Sequence, residues 1–275
     1  MLTAVRRSLR DQVSNLGLAT PAARVIRAIT SSDPRTVLAN ALYRSRGAPD
    51  GLPIPPPDLL FLVAGTTSIS WFLEGGARGA DTVRDALQRR GVQIDQLGAI
   101  LDFGCGCGRV LRHWHDLRRL RVVGSDYGPN LVEWCRQNLS FADVGVNQLA
   151  PPLVYADTEF DLVYAFSVFS HLTEDLQVPW MTELTRVLKS GGHLLVSTHG
   201  ESYSHRLNAE EGRQFAGGAL VVKNDVKAPG SNMCAAYHPL GYVRARMSGG
   251  LELIDFQPEG ARGNPHQDLY VFRKP

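Results

Sequence analysis

Residues 99–110 read Ala-Ile-Leu-Asp-Phe-Gly-Cys-Gly-Cys-Gly-Arg-Val: a short apolar run, a carboxylate at Asp102, then glycines at 104, 106 and 108. Alternate glycines let a backbone turn approach a ligand closely. The common phosphate-binding patterns do not fit. G-x-G-x-x-G fails because counting from Gly104 puts Arg109 at its last glycine and from Gly106 puts Leu111 there, and the Gly-Lys-Ser/Thr ending of a Walker loop is missing. A carboxylate two residues before the first glycine suits a cationic ligand instead. A second acid, Asp126, closes the next apolar run 18 positions after Gly108. Doubly wound sheets use an acid at this point to accept the hydroxyls of an adenosine ribose, although the same residue also suits a cap on the turn Asp-Tyr-Gly-Pro.

Proton transfer needs a group that titrates near neutrality, and histidine is the usual one. His171 follows the run Phe160–Phe166 and His199 follows Leu194–Thr198, so both stand at strand ends where ligands of such sheets bind. They are the catalytic candidates, His171 also being readable as a structural link between loop and helix. Trp71, Tyr203, Tyr237 and His238, with Glu201 near them, are candidates for holding an acceptor, core packing being the alternative for the aromatic ones. Cys105 and Cys107 alternate with glycines and have no C-x-x-C partner, so small side chains in a cramped turn are expected and no metal.

The elements that position these residues follow from periodicity. Residues 4–29 and 34–46 carry helical spacing, with Asp33-Pro34 as a start signal. Five prolines in the stretch from Gly47 to Asp58 fix an extended connection; short helices follow from Asp58, around Trp71–Leu73 up to Gly75-Gly76, and over 81–90. From Ala99 the pattern becomes strands at 99–103, 121–125, 144–147, 160–166 and 193–198, with helices at about 108–118, 129–138 and 174–189. Residues 251–256 and 268–272 read as an antiparallel pair, and 200–238 as a polar, glycine-rich insertion holding a helix and a hairpin.

Asp102 with Gly104, Gly106 and Gly108, Asp126, the run Phe160–Phe166 with Ser167–Leu172, and Arg186–Gly192 with the strand after it resemble class I S-adenosylmethionine-dependent methyltransferases of the bacterial small-molecule type. The matches cover about residues 99–199 and, more weakly, the terminal strand pair. The resemblance implies an α/β fold, a Rossmann-like doubly wound, mostly parallel seven-stranded sheet with an antiparallel last strand, plus an N-terminal helical cap. It implies an extension over 1–58, a helical cap over 59–98, and a cofactor-binding domain over 99–275 with a lid at 200–238. S-adenosylmethionine is the implied cofactor. Asp102, Gly104, Cys105, Gly106 and Gly108 would hold its methionine part, Asp126 and Tyr127 its ribose, and Asn147, or Gln148 beside it, its adenine, with Phe166 completing the set.

The 275 residues, 44% apolar and 20% charged, suffice for a substantial core, and no apolar run is long enough for a transmembrane helix. Four cysteines make no disulfide framework and the first residues lack a signal-peptide h-region, so a reducing cytoplasm is expected. Net charge is only +2, yet residues 1–50 hold eight Arg against three Asp. Such an arm fits RNA or an anionic membrane, or simply a solvated helix face. The expected function is methyl transfer to oxygen or nitrogen of a small metabolite, such as a sugar derivative or natural-product intermediate. A nucleic-acid or protein acceptor is the alternative, opposed by Phe166-Ser167-Val168-Phe169 where an Asn-Pro-Pro-Tyr-like motif would stand. A cofactor-binding regulator without turnover is another, and a homodimer stays open.

Overall fold

The computed structural model describes residues 33–223, 230, 234–263 and 265–275. The helix expected over 4–29 and most of the Arg-rich arm lie outside the described residues. The chain divides into two compact units, Met1–Leu73 and Glu74–Pro275.

In the first unit, α1 (Pro34–Arg46) begins where expected: the Asp33 carboxylate accepts from the Arg35 and Thr36 amides at 2.8 and 3.0 Å, and Gly47 at φ 84° ends it. α2 (Pro57–Ala64) starts on the proline run, with Leu59 and Leu60 buried. The two helices expected around Trp71 and over 81–90 are instead one, α3 (Ile69–Gln88), which runs through Gly75, Gly76 and Gly79. The reason is packing. A Cβ at Gly76 would stand 2.1 Å from the Arg109 carbonyl oxygen, and one at Gly79 2.9 Å from Val110 Cγ2. Glycine here serves close approach to the turn after the first strand, and tertiary contact overrides its poor helix propensity.

The second unit is a seven-stranded sheet in the order β3-β2-β1-β4-β5-β9-β8. The strands are β1 (Ala99–Phe103), β2 (Arg121–Asp126), β3 (Ala142–Val146), β4 (Phe160–Ala165), β5 (Leu188–Thr198), β8 (Glu252–Ala261) and β9 (Gln267–Arg273). β1 to β5 are parallel; β9 runs antiparallel between β5 and β8. α4 (Pro129–Asn138) and α5 (Glu174–Val187) follow β2 and β4. Strand order reverses between β1 and β4, so the crevice beyond their carboxyl ends is the ligand position for this topology. The core is the near-continuous apolar content of β1, β4 and β5, with Trp180, Met181 and Leu184 of α5 and Tyr270 and Phe272 of β9 buried against it.

The helix expected over 108–118 does not form; a single 3-10 turn, Leu111–Trp114, takes its place. Leu111, Arg112 and Trp114 are all buried, so Arg112 lies inside where its charge suggested solvent. The start of this segment packs closely on α3, the Arg109 carbonyl and Val110 facing Gly76 and Gly79, so contact overrides its helical propensity. The insertion after β5 forms a 3-10 segment Glu201–Arg206, α6 (Ala209–Ala216) with an Asn208–Glu211 capping box, and the antiparallel pair β6 (Val221–Lys223) and β7 (Ala235–Tyr237), before α7 (Leu240–Arg246).

Candidate active site

All three turn glycines have positive φ, 77° at Gly104, 57° at Gly106 and 79° at Gly108. Two are also demanded by space: a Cβ at Gly104 would meet Val168 Cγ2 at 2.3 Å and one at Gly108 would meet Leu139 Cδ1 at 2.4 Å. Asp126 is the turn's anchor. Its Oδ2 accepts from the Gly106 amide and its Oδ1 from the Gly128 amide, both at 2.8 Å. The residue therefore does cap its local turn, and a carboxylate with about four acceptor directions keeps capacity for a hydroxyl beside these amides. Burial pushes its pKa up, while the amides at Gly128, Gly106 and Tyr127 pull it back.

Asp102 is buried at the end of β1, and its Oδ2 has no hydrogen-bond partner among the described residues. Burial pushes its pKa up to about 7 against the opposing hydrogen bond from Tyr164 and the charge of Arg109. Tyr164 pairs with Asp102 across β1 and β4, and its hydroxyl accepts from Trp114 Nε1 at 2.8 Å. Sequence reading missed this Trp114–Tyr164–Asp102 chain. The parallel register, which sets Tyr164 opposite Asp102, was the signal that could have found it.

The cysteines belong to the turn's interior. Cys105 and Cys135 both direct Sγ at the Gly106 carbonyl, at 3.7 and 3.5 Å, and burial with the neighbouring thiol drives the Cys105 pKa well up. Cys107 is buried too. No group of three or more His, Cys, Asp or Glu among the described residues is arranged to hold a metal ion. Asn147 turns inward: its Oδ1 accepts from the Ser125 hydroxyl at 2.7 Å and its Nδ2 donates to the Gln148 carbonyl. Tyr127 is exposed, and Phe166 is half-buried with its ring 5.6 Å from that of Tyr164.

The histidines gather at the ends of β4 and β5. The rings of His171 and His199 lie 6.1 Å apart; His199 stacks on Tyr203 at 4.2 Å and has Tyr237 at 5.5 Å. β7 closes on this edge, with His199 bridging to Tyr237 and the His238 amide donating to the His199 carbonyl at 2.8 Å. His171 Nδ1 lies 2.7 Å from the Cys234 carbonyl, which can only accept, so that nitrogen carries the proton. In the neutral ring, Nε2 is then a bare base. Burial lowers the His171 pKa, so the ring is neutral at physiological pH. Burial lowers His199 and His238 as well, each to about 3.

Of the acceptor candidates, Tyr203 donates its hydroxyl to the His266 carbonyl at 2.6 Å. His238 is fully buried, with Nε2 3.1 Å from Gln177 Oε1. Gln177 donates to the Phe169 and Leu172 carbonyls, which fixes its amide orientation and makes His238 Nε2 the donor. Trp71 is half-buried in the first turn of α3, within the first compact unit, and its amide donates to Ser68 Oγ at 3.2 Å.

Residues 101–196, the stretch holding Asp102, the glycine turn, Asp126 and the β4 loop, match the model of a methyltransferase domain. The fold matches a methyltransferase structure from Methanosarcina mazei at TM-score 0.51 and 17% identity, over 68% of this chain and 96% of that one. Residues 101–196 thus carry a methyltransferase domain. The DesVI structure of Streptomyces venezuelae is similar to this chain in fold, at TM-score 0.52 and 15% identity over 74% of this chain and 93% of that one. Curated relatives at 32% identity are malonyl-[acyl-carrier protein] O-methyltransferase of Herminiimonas arsenicoxydans, over 41% of this chain and 42% of that protein, and ribosomal protein L11 methyltransferase of Geobacter metallireducens, over 41% and 35%. The methyltransferase thus spans about two fifths of their length. Among the described residues no single helix is long and apolar enough to cross a membrane.

S-adenosylmethionine is the cofactor that the sequence resemblance implies for this domain. The residues present fit it: a buried carboxylate oxygen without a partner stands ready for an ammonium, and a backbone turn open to close approach follows it.

Proposed function

We propose that this chain transfers the methyl group of S-adenosylmethionine to an oxygen or nitrogen of a small metabolite, with His171 as general base. The observation that carries the reading is the fixed tautomer of His171, which leaves a neutral ring with a bare Nε2 at the carboxyl end of β4. Asp102 would take the cofactor's ammonium, the backbone from Gly104 to Gly108 its methionine part, and Asp126 its ribose. When bound, the cofactor supplies an electrophilic methyl carbon on a sulfonium. The chain's own work is to hold the acceptor in line with that carbon, take its proton at His171 Nε2, and keep water out.

His199 stacks on Tyr203 and has the tilted ring of Tyr237 beside it, which gives the acceptor side an aromatic wall, and β7 meets the end of β5 there. A wall of aromatic rings supports a small acceptor, with the Arg206 guanidinium 4.9 Å from the Tyr203 ring bringing a positive charge close by. The curated relatives show that this kind of domain serves both an O-methyltransferase and a ribosomal-protein methyltransferase, so the acceptor class needs direct measurement. Methyl-labelled S-adenosylmethionine incubated with the protein and a panel of hydroxylated and amino-bearing metabolites should place label in a low-molecular-weight product. Label recovered only in RNA or protein would overturn the small-molecule reading.

A further inference from the structure

Ser167, the second residue after β4, holds φ at 60°, a left-handed region that side-chain-bearing residues enter only at a cost. Such a conformation persists only where surrounding structure enforces it, and here the enforcing groups are visible. The Ser167 amide donates to Ser197 Oγ at 2.8 Å; the Ser197 hydroxyl donates to Gln267 Oε1 at 2.6 Å, and the Ser167 hydroxyl to the same oxygen at 2.9 Å. Gln267 Nε2 reaches back to Ser170 Oγ at 3.4 Å. Gln267, Ser197 and Ser170 are each at most 2% exposed, so this clasp joins β9, β5 and the β4 loop inside the protein.

The clasped loop touches both halves of the site. Val168 lies directly over Gly104, leaving no room there for a methyl group. Ser170 immediately precedes His171, whose Nδ1 is held by the Cys234 carbonyl. We propose that Gln267 is a positioning residue for methyl transfer: through Ser197 and Ser167 it holds the strained turn that seats Val168 on the cofactor turn and sets the His171 ring. The inference rests on the proposed role of His171, but the clasp itself does not depend on the acceptor. Glycine at 167 would adopt the same φ freely, but only serine supplies the hydroxyl that ties the loop to Gln267.

The test uses the full chain and two readouts, the 15N chemical shifts of the His171 ring and calorimetric affinity for S-adenosylhomocysteine. Gln267→Met keeps the side-chain length but removes the acceptor. It should turn the single Nδ1-protonated signature of His171 into a mixture and weaken S-adenosylhomocysteine about threefold to tenfold. Gln267→Glu keeps an acceptor for both serine hydroxyls and should preserve the His171 signature. Adding Ser167→Gly to Gln267→Met should recover part of the loss, because the turn then needs no enforcement. If Gln267→Met does not fold, Ser197→Ala gives the same readout by removing the acceptor of the Ser167 amide. Wild-type His171 shifts and wild-type affinity in Gln267→Met, with only a lowered melting temperature, would overturn the proposal. Failure of the wild type to bind S-adenosylhomocysteine would instead overturn the methyltransferase reading, and the His171 shifts would still decide the clasp.

Discussion

The two ends of the crevice are built on opposite electrostatic plans. On the cofactor side two buried carboxylates, Asp102 and Asp126, stand at the ends of neighbouring strands, with Asp126 fastened to backbone amides. On the acceptor side three histidines are kept neutral by burial and are oriented by carbonyls and an amide. Under the proposed roles, a ligand carrying positive charge would meet carboxyl groups whose pKa burial has raised and would draw them back to the charged form. A proton leaving an acceptor would meet an uncharged base. The difference teaches that burial acts in opposite directions on acids and on histidines, disfavouring the charged form of each.

The sharpest way to break this contrast is His171→Ala. It should lower turnover by about 10²–10⁴ while cofactor affinity stays near wild type. In the wild type, the loss of turnover on acidification should set in at lower pH than the titration of an ordinary histidine, because burial lowers the His171 pKa. An equal loss of melting temperature and activity in the alanine variant would make His171 a structural link and dissolve the contrast.

Next in size, Asp126→Ala should weaken S-adenosylmethionine by about 1.5–3 kcal/mol, the range for a hydrogen bond to a charged group. Calorimetry checks it, and unchanged affinity would remove Asp126 from the site. Smaller again is the pH dependence at Asp102. Its pKa of about 7 means that the empty carboxyl is half protonated at neutrality, and an ammonium favours the charged form. Affinity for S-adenosylhomocysteine should therefore rise about eightfold from pH 6 to pH 7.4 as the carboxyl ionises, then level above about pH 8. Asp102→Asn should flatten that rise. The smallest effects belong to Cys105→Ala and Cys107→Ala taken separately. Cofactor affinity should hold within about twofold, because their sulfurs are buried within the turn's own packing.

The cofactor side was largely legible in the sequence because it is local. A strand, a glycine turn and an acid at the next strand end are contiguous patterns, and β1, α4 and the antiparallel β8–β9 pair fall close to where periodicity put them. The acceptor side was legible only as a set of separate histidines. The partners that give them their states, Cys234, Gln177 and Gln267, lie on segments that only the folded sheet brings together. Asn147 shows the converse. Its position after β3 matched, but its amide is turned to Ser125, a rotamer choice that no spacing specifies. The helix missed over 108–118 and the glycines absorbed into α3 share one cause, since these two segments pack against each other closely enough for contact to outweigh local preference.

That contact has a genetic consequence. Gly76 is distant in sequence from every residue expected to meet the cofactor, yet a single methyl group there would drive into the Arg109 carbonyl and displace the backbone that follows Gly108. In a scan of random variants, position 76 should accept almost nothing. Its few survivors should show weakened cofactor affinity before lost expression, so that a residue with no ligand contact would score as part of the binding site.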